Sequence, residues 1–348
     1  MLCGPSSVPV NRLACCTQST HSHLPESGSS ISAMDTTRLN HRTVLGAAAT
    51  AGLLSVGGTS AWALDRFVID HAQITSASTV GGQQTTVEAS ATASAADGVL
   101  TQSGYTSDTT RITITKKSAG QGDSALAWYV ADVQLSDATL LRTAFAQDSF
   151  GTNIIATTSE TCSRFGGLVA LNGDHYGFRS TGIVVRNGVA FRDAGARQGL
   201  LLTRDREMTL YDETATSAAA LVKDGAWQTW SFGPGVVDQA VVVPGIDQVE
   251  MDTNVGNHSI QGRQPRTAIG MVAANHFLLV AVDGRSSGYS VGLTLPDLAS
   301  LMQGLGCRVA YNLDGGGSTT MVFDGSLVNN PLGRGQECGT SDIIYLTK

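Results

Sequence analysis

From about Arg111 onward, apolar residues recur at every second position in short runs, the period of a half-buried β-strand. Ile112 and Ile114 alternate with Thr113 and Thr115, and Ala127–Val133, Ile154–Thr157 and Gly167–Leu171 read as further short strands. Gly182–Val185 and Val189–Phe191 flank Asn187-Gly188, a pair that accepts the positive φ of a type I′ turn, so this stretch predicts a hairpin. Thr267–Val272 and Phe277–Val282 predict a second hairpin. One segment carries the helical period. Leu298, Leu301, Met302 and Leu305 fall on a single face, Thr294 stands as N-cap with Asp297 three residues on, and Gly304 and Gly306 close it. A strand over Cys307–Leu313 then delivers Asp314 to a strand end. The balance predicts an α+β fold, with strand-rich mixed sheets and a few packing helices, in a single domain. No internal repeat is legible.

The N-terminus has a different character. Arg38, His41 and Arg42 precede an uncharged stretch to Leu64, and Ala61-Trp62-Ala63 offers small residues for cleavage. That order is expected of a secretory signal over 34–63, with an uncleaved membrane anchor as the alternative and the only membrane contact foreseen. Residues 1–33 read as an unstructured upstream segment, because Met34 lies nearer the basic residues. Residues 64–104 read as an N-terminal strand and linker region, with the small, polar run 83–97 as its loosest part. A secreted or cell-surface location follows from the signal.

Composition narrows the function classes. Hydrophobic residues make up 42% and charged residues 15%, which suits a packed core rather than a disordered chain. The formal charge of −7 offers no basic stripe for a nucleic-acid partner. Cys162, Cys307 and Cys338 remain once the targeting region is set aside. An odd count argues against a disulfide scaffold, and no Cys/His spacing suggests zinc.

Several predicted strand ends carry chemistry. Asp314 precedes Gly315, Gly316, Gly317, Ser318 and Thr319. Successive glycines let backbone N–H groups point into one concavity, and the hydroxyls add donors, a combination that suits a phosphate or a sugar. A plain turn between strands is the competing reading, and the Lys of a phosphate-binding P-loop is missing. Asp283 and Arg285 form a second such corner. Asn172 and Asp174 form a third, in which His175 reads as an exposed loop histidine. Arg263 and Arg266 flank Gln264-Pro265 just before Thr267, where a guanidinium would suit an anion. No Gly-x-Ser-x-Gly elbow appears, which argues against a serine esterase of the α/β-hydrolase kind. No cofactor motif is read. Clustered carboxylates leave a divalent cation such as calcium open, though without EF-hand spacing.

Four ordered segments, beginning at Leu171-Asn172-Gly173, at Gly262-Arg263, at Leu278-Leu279 and at Asn312-Leu313-Asp314, closely resemble the phosphodiester glycosidase family. The resemblance covers residues 105–348 and implies a single catalytic domain there. It implies cleavage of N-acetylglucosamine α-linked to a phosphate, within extracellular glycan or wall-polymer metabolism. It carries over to Asn172, Gly173, Arg263, Arg266, Thr267, Asp283, Arg285, Asn312, Asp314 and the Gly315–Thr319 run. Many members have a bulkier aromatic pair where this chain has Asp174, His175, Tyr176 and Gly177. Cleavage at an anomeric carbon that bears phosphate expels a weakly basic leaving group. The site then needs a carboxylate at that carbon, Asp314 or Asp283, and donors for the phosphate. The expected partner is a glycan or polysaccharide carrying a phosphodiester-linked sugar. A non-catalytic protein of polysaccharide binding or exopolysaccharide assembly is the other reading.

Overall fold

The structure, a computed structural model, describes residues 98–251 and 259–348. The upstream segment, the targeting stretch and the 83–97 linker lie outside these residues. In chain order the strands are β1 (Val99–Thr101), β2 (Gly104–Thr106), β3 (Thr110–Ala119), β4 (Leu126–Leu135), β5 (Arg142–Phe145) and β6 (Val169–Asn172). There follow β7 (Gly182–Arg186), β8 (Val189–Ala194), β9 (Gln198–Thr203), β10 (Met208–Asp212), β11 (Ala226–Trp230), β12 (Gly235–Asp238) and β13 (Val241–Val242). The last six are β14 (Arg266–Ala273), β15 (His276–Val282), β16 (Val309–Leu313), β17 (Met321–Phe323), β18 (Ser326–Leu327) and β19 (Asp342–Leu346). The described α-helices are α1 (Thr158–Arg164), α2 (Ala218–Lys223) and α3 (Leu295–Gly304). This is the strand-rich α+β domain that the patterning predicts.

Nine strands form one sheet in the order β1-β2-β3-β4-β15-β14-β16-β12-β13, and five form another in the order β18-β17-β6-β19-β5. Alternation along the large sheet sorts its side chains onto two faces. Ile269, Met271, Leu279 and Ala281 join Leu171, Met321 and Ile344 of the five-stranded sheet in the main core. Ala268, Leu278, Val280 and Val282 point the other way, onto Leu295, Leu298, Ala299 and Met302 of α3. The outer face of the five-stranded sheet buries Ala170, Val322 and Ile343 with Cys162 of α1. The layers are therefore α3, large sheet, five-stranded sheet and α1. The hairpin β7-β8 and the sheet β10-β9-β11 flank them, with α2 against Ile183, Val185 and Ala226.

The predicted hairpins form as read. Asn187 and Gly188 adopt φ 51° and 80°, and β14 pairs with β15 from Arg266↔Val282 onward. Thr294 caps α3 by accepting from Asp297 N at 3.2 Å. Ile154–Thr157 differs from expectation. It makes one isolated bridge, Ala156↔Thr340, because Thr157 is spent as the N-cap of α1 through a capping box with Glu160. Residues 98–106 pair as β1 and β2 onto β3.

Candidate active site

Antiparallel pairing brings chemically active strand ends to one end of the molecule. In the large sheet the start of β14 lies beside the ends of β15 and β16, with Thr267 opposite Leu313. In the five-stranded sheet the end of β6 lies beside the starts of β17 and β19, with Asn172 opposite Ile343. Asn172 joins the two sheets and is fully buried. Its Nδ2 donates to Asp314 O at 2.6 Å, and its Oδ1 accepts from Thr267 Oγ1 at 2.9 Å and Thr320 N at 3.1 Å. Thr267 Oγ1 also meets Thr319 Oγ1 at 3.2 Å, so both hydroxyls are used inside the protein.

This clamp holds Asp314 at the edge of the site, only partly exposed. The Asp314 side chain is 13% exposed, and its Oδ2 stands 3.4 Å from His175 Nδ1. His175 was expected as an exposed loop residue. It is instead 15% exposed and packed against Phe178 and Phe232, with ring centroids 4.6 and 6.0 Å away. A histidine two residues past a strand-end glycine carries no signal that it faces a carboxylate from another sheet.

The glycine run is less of an anion nest than its composition suggests. Gly316 has φ 63°, but its amide donates to Pro265 O, while those of Ser318 and Thr319 turn inward onto Gly315 and Gly316. Among the described residues the amides of Gly315 and Gly317 have no acceptor. The space above Gly316 is held by Arg285, whose Nη2 would lie 3.3 Å from an added Cβ. Arg285 Nη2 donates to Gln264 Oε1 at 2.6 Å, with the residue itself exposed.

Arg266 spends most of its fork on the backbone. Nε donates to Leu293 O, and Nη2 donates to Ile260 O and Gly262 O at 2.5 and 2.8 Å. Nη1 has no hydrogen-bond partner among the described residues. Burial and then the like charge of Arg285 push the Arg266 pKa down to about 10. The like charge of Arg285 disfavours the Arg266 cation, and an anion near both would offset it. Arg263 lies further out, half exposed and paired with Asp297 at 3.4 Å.

Asp174 and Asp283 are interior residues, each 1% exposed. Asp174 Oδ1 accepts from His175 N at 2.6 Å and Oδ2 from Ser231 N at 2.7 Å, with Arg186 Nη2 at 3.6 Å. Burial raises its pKa, but Arg186, Arg179 and these two amides outweigh it and hold the carboxylate below the usual range. Asp174 thus supports the backbone of His175 and has no free face for a sugar hydroxyl. Asp283 accepts from Tyr289 OH, Asn329 Nδ2 and Asn330 N at 2.6, 2.8 and 3.0 Å. Neither the Asn329 strap nor the buried Arg186–Asp342 pair at 2.8 Å was legible in the sequence, because each partner lies more than 40 residues from the group it holds. No group of three or more His, Cys, Asp or Glu side chains among the described residues converges to hold a metal ion.

Comparison with known proteins agrees with the resemblance. A Bacillus subtilis (strain 168) protein described as the SPbeta prophage-derived uncharacterized protein YomE is 30% identical over 207 residues, which span 57% of this chain and 30% of that relative. The catalytic domain of zebrafish N-acetylglucosamine-1-phosphodiester alpha-N-acetylglucosaminidase, auto-inhibited by its pro-peptide, shares the fold with a TM-score of 0.55 at 18% identity. That match covers 81% of this chain and 96% of the other. A Burkholderia pseudomallei protein described as a candidate exported protein matches with a TM-score of 0.50 at 19% identity, over 64% of this chain and 74% of its own. No helix among the described residues is long and apolar enough to cross a membrane. The phosphodiester glycosidase family itself is matched over residues 165–347, more than half of the chain, and the protein belongs to that family.

Proposed function

We propose that the protein hydrolyses a sugar 1-phosphodiester of the N-acetylglucosamine type, outside the cytoplasm, in glycan or wall-polymer metabolism. The observation that carries this reading is the pairing of a partly exposed carboxylate, Asp314, with an anion-competent rim made by Arg285, Arg266 Nη1 and the amides of Gly315 and Gly317. The phosphate of the substrate lies on that rim, and its anomeric carbon faces Asp314. Asp314 acts there either as base for water or as nucleophile. With water, the water oxygen bonds to the anomeric carbon while the bond from that carbon to the phosphate oxygen breaks. The electron pair leaves with the phosphate monoester, and Asp314 takes the proton of water. The guanidinium groups and amides stabilise charge already present on the leaving group, so a strong general acid is not required. Ser318 and the partly exposed His175 complete the rim.

A panel of nitrophenyl-phosphoryl sugars tests the reading. Release of free sugar with nitrophenyl phosphate supports it. Release of sugar phosphate would show cleavage of the P–O bond instead, and binding without turnover would show a polysaccharide-binding protein. Asp314→Asn is expected to abolish release while the thermal melt stays within a few degrees of wild type, because the change is nearly isosteric and keeps the backbone bonds to Asn172 and Gly173.

A further inference from the structure

Asp283 sits at a strand end beside Arg285 and matches the family motif, so it competes with Asp314 for the reacting role. We propose that Asp283 is a positioning residue, the buried anchor of a strap through Asn329 that fixes the far end of the Asp314 turn. Asn329 lies 5% exposed in the loop after β18. Its Nδ2 bridges Asp283 Oδ1 at 2.8 Å and Thr319 O at 3.0 Å, and its Oδ1 accepts from Met321 N at 2.8 Å. One amide side chain therefore holds the backbone where the glycine turn ends and β17 begins. The second Asp283 oxygen holds the strap in place by accepting from Asn330 N and from Tyr289 OH, and that hydroxyl pairs with Tyr129 OH at 3.0 Å. With Ser290 Oγ donating to Asp283 O at 2.6 Å, the residue is enclosed by donors and presents no oxygen to a substrate. Asn172 fixes the turn at its Asp314 end and the Asp283–Asn329 pair fixes it at its Thr319 end. Three consecutive glycines span the interval, so Asp314 keeps its aim only if both ends are held.

The kinetic part of the test rests on the hydrolase reading; the exchange part does not. Asn329→Ala removes the strap and leaves the Asp283 carboxylate intact. In Asp283→Asn, an amide N–H group replaces one acceptor and meets a donor. Both variants are expected to raise hydrogen exchange at the amides of 315–321 and to lower kcat about a hundredfold, with KM changed less than about threefold. Together they should do little more than either alone, because they break one connection. If Asp283→Asn is dead with exchange unchanged while Asn329→Ala turns over normally, Asp283 is a reacting group and the proposal fails. It also fails if Asn329→Ala changes neither reading. Should Asn329→Ala not fold, Tyr289→Phe decides, with faster exchange at 315–321 and about a threefold to tenfold loss of kcat expected; no change in either would overturn the strap. Wild-type protein without turnover would sink the hydrolase reading, yet exchange in the variants would still decide the strap.

Discussion

A single amide, Asn172, carries three hydrogen bonds between elements far apart in the chain, two of them buried. Asn172→Ala takes this partner from Asp314 O and Thr320 N and leaves Thr267 Oγ1 with Thr319 Oγ1 alone. It is expected to cost about 2–4 kcal/mol, since each unsatisfied buried group costs about 1–3 kcal/mol and some relax. Chemical denaturation reads this directly, and a loss below about 0.5 kcal/mol, the range of ordinary surface changes, would show the clamp to be dispensable. Gly316→Ala tests the rim. A side chain at φ 63° costs about 1–2 kcal/mol, and the new Cβ displaces the flexible Arg285 tip rather than backbone. Weaker substrate capture with kcat largely kept is expected; an unchanged KM would remove Arg285 from phosphate binding. At this scale the sequence is a partial guide. Asp314, Asp283 and Asp174 look alike in it, each a carboxylate at a strand end. Which of them faces water depends on donors such as Asn329, Tyr289, Ser231 and Arg186, which the fold brings from distant segments.

Elements closed by local signals were the legible ones. The Asn187-Gly188 turn, the β14-β15 hairpin and α3 each have their cap or turn within a few residues, so pattern and structure agree. Removing the α3 cap by Thr294→Ala is expected to cost about 1 kcal/mol, with the helix still held to the large sheet by Leu295, Leu298 and Met302. A melting temperature shift of only a few degrees is expected, because the buried face outweighs the cap in a helix of 10 residues. The five-stranded sheet was mostly illegible. Its β17 has only three residues, and β19 at the C-terminus pairs with both β6 and β5, so no local pattern announces the arrangement. That sheet supplies the Asn172 side of the site. The half of the site on the large sheet could therefore be anticipated as a strand end with a turn, but the half that completes it could not.

A buried ion cluster ties the parts of the molecule together. Arg186 on β7 reaches Asp342 at the start of β19 at 2.8 Å and Asp174 after β6 at 3.6 Å, and Asp174 also holds Ser231 just past β11. One guanidinium therefore links the hairpin, the five-stranded sheet and the flanking sheet beneath His175. Arg186→Met would leave two carboxylates in the interior without their shared ion partner and is expected to cost about 3–5 kcal/mol. Titration probes the same cluster more gently. Burial, opposed by Arg186 but reinforced by the Asp174 charge, pushes the Asp342 pKa up from 3.8 to about 6. Over that window the folded chain holds a proton that the unfolded chain has released. Folding stability from this group is therefore fully present below pH 3.8 and is lost as pH rises through about 6. Asp174, held low, contributes in the opposite sense and loses its stabilisation only as pH falls through its own depressed range. Asp342→Asn removes the first effect alone. The stability of wild type minus that of Asp342→Asn, from denaturation midpoints at several pH values, is expected to fall between pH 3.8 and about 6 and to level off above. A difference that stays flat across this window would mean that Asp342 ionises in the folded chain no later than in the unfolded one. At neutral pH, above that pKa of about 6, the Asp342 and Asp174 carboxylates are both charged beside Arg186 in either case, so only the acidic window separates the two outcomes.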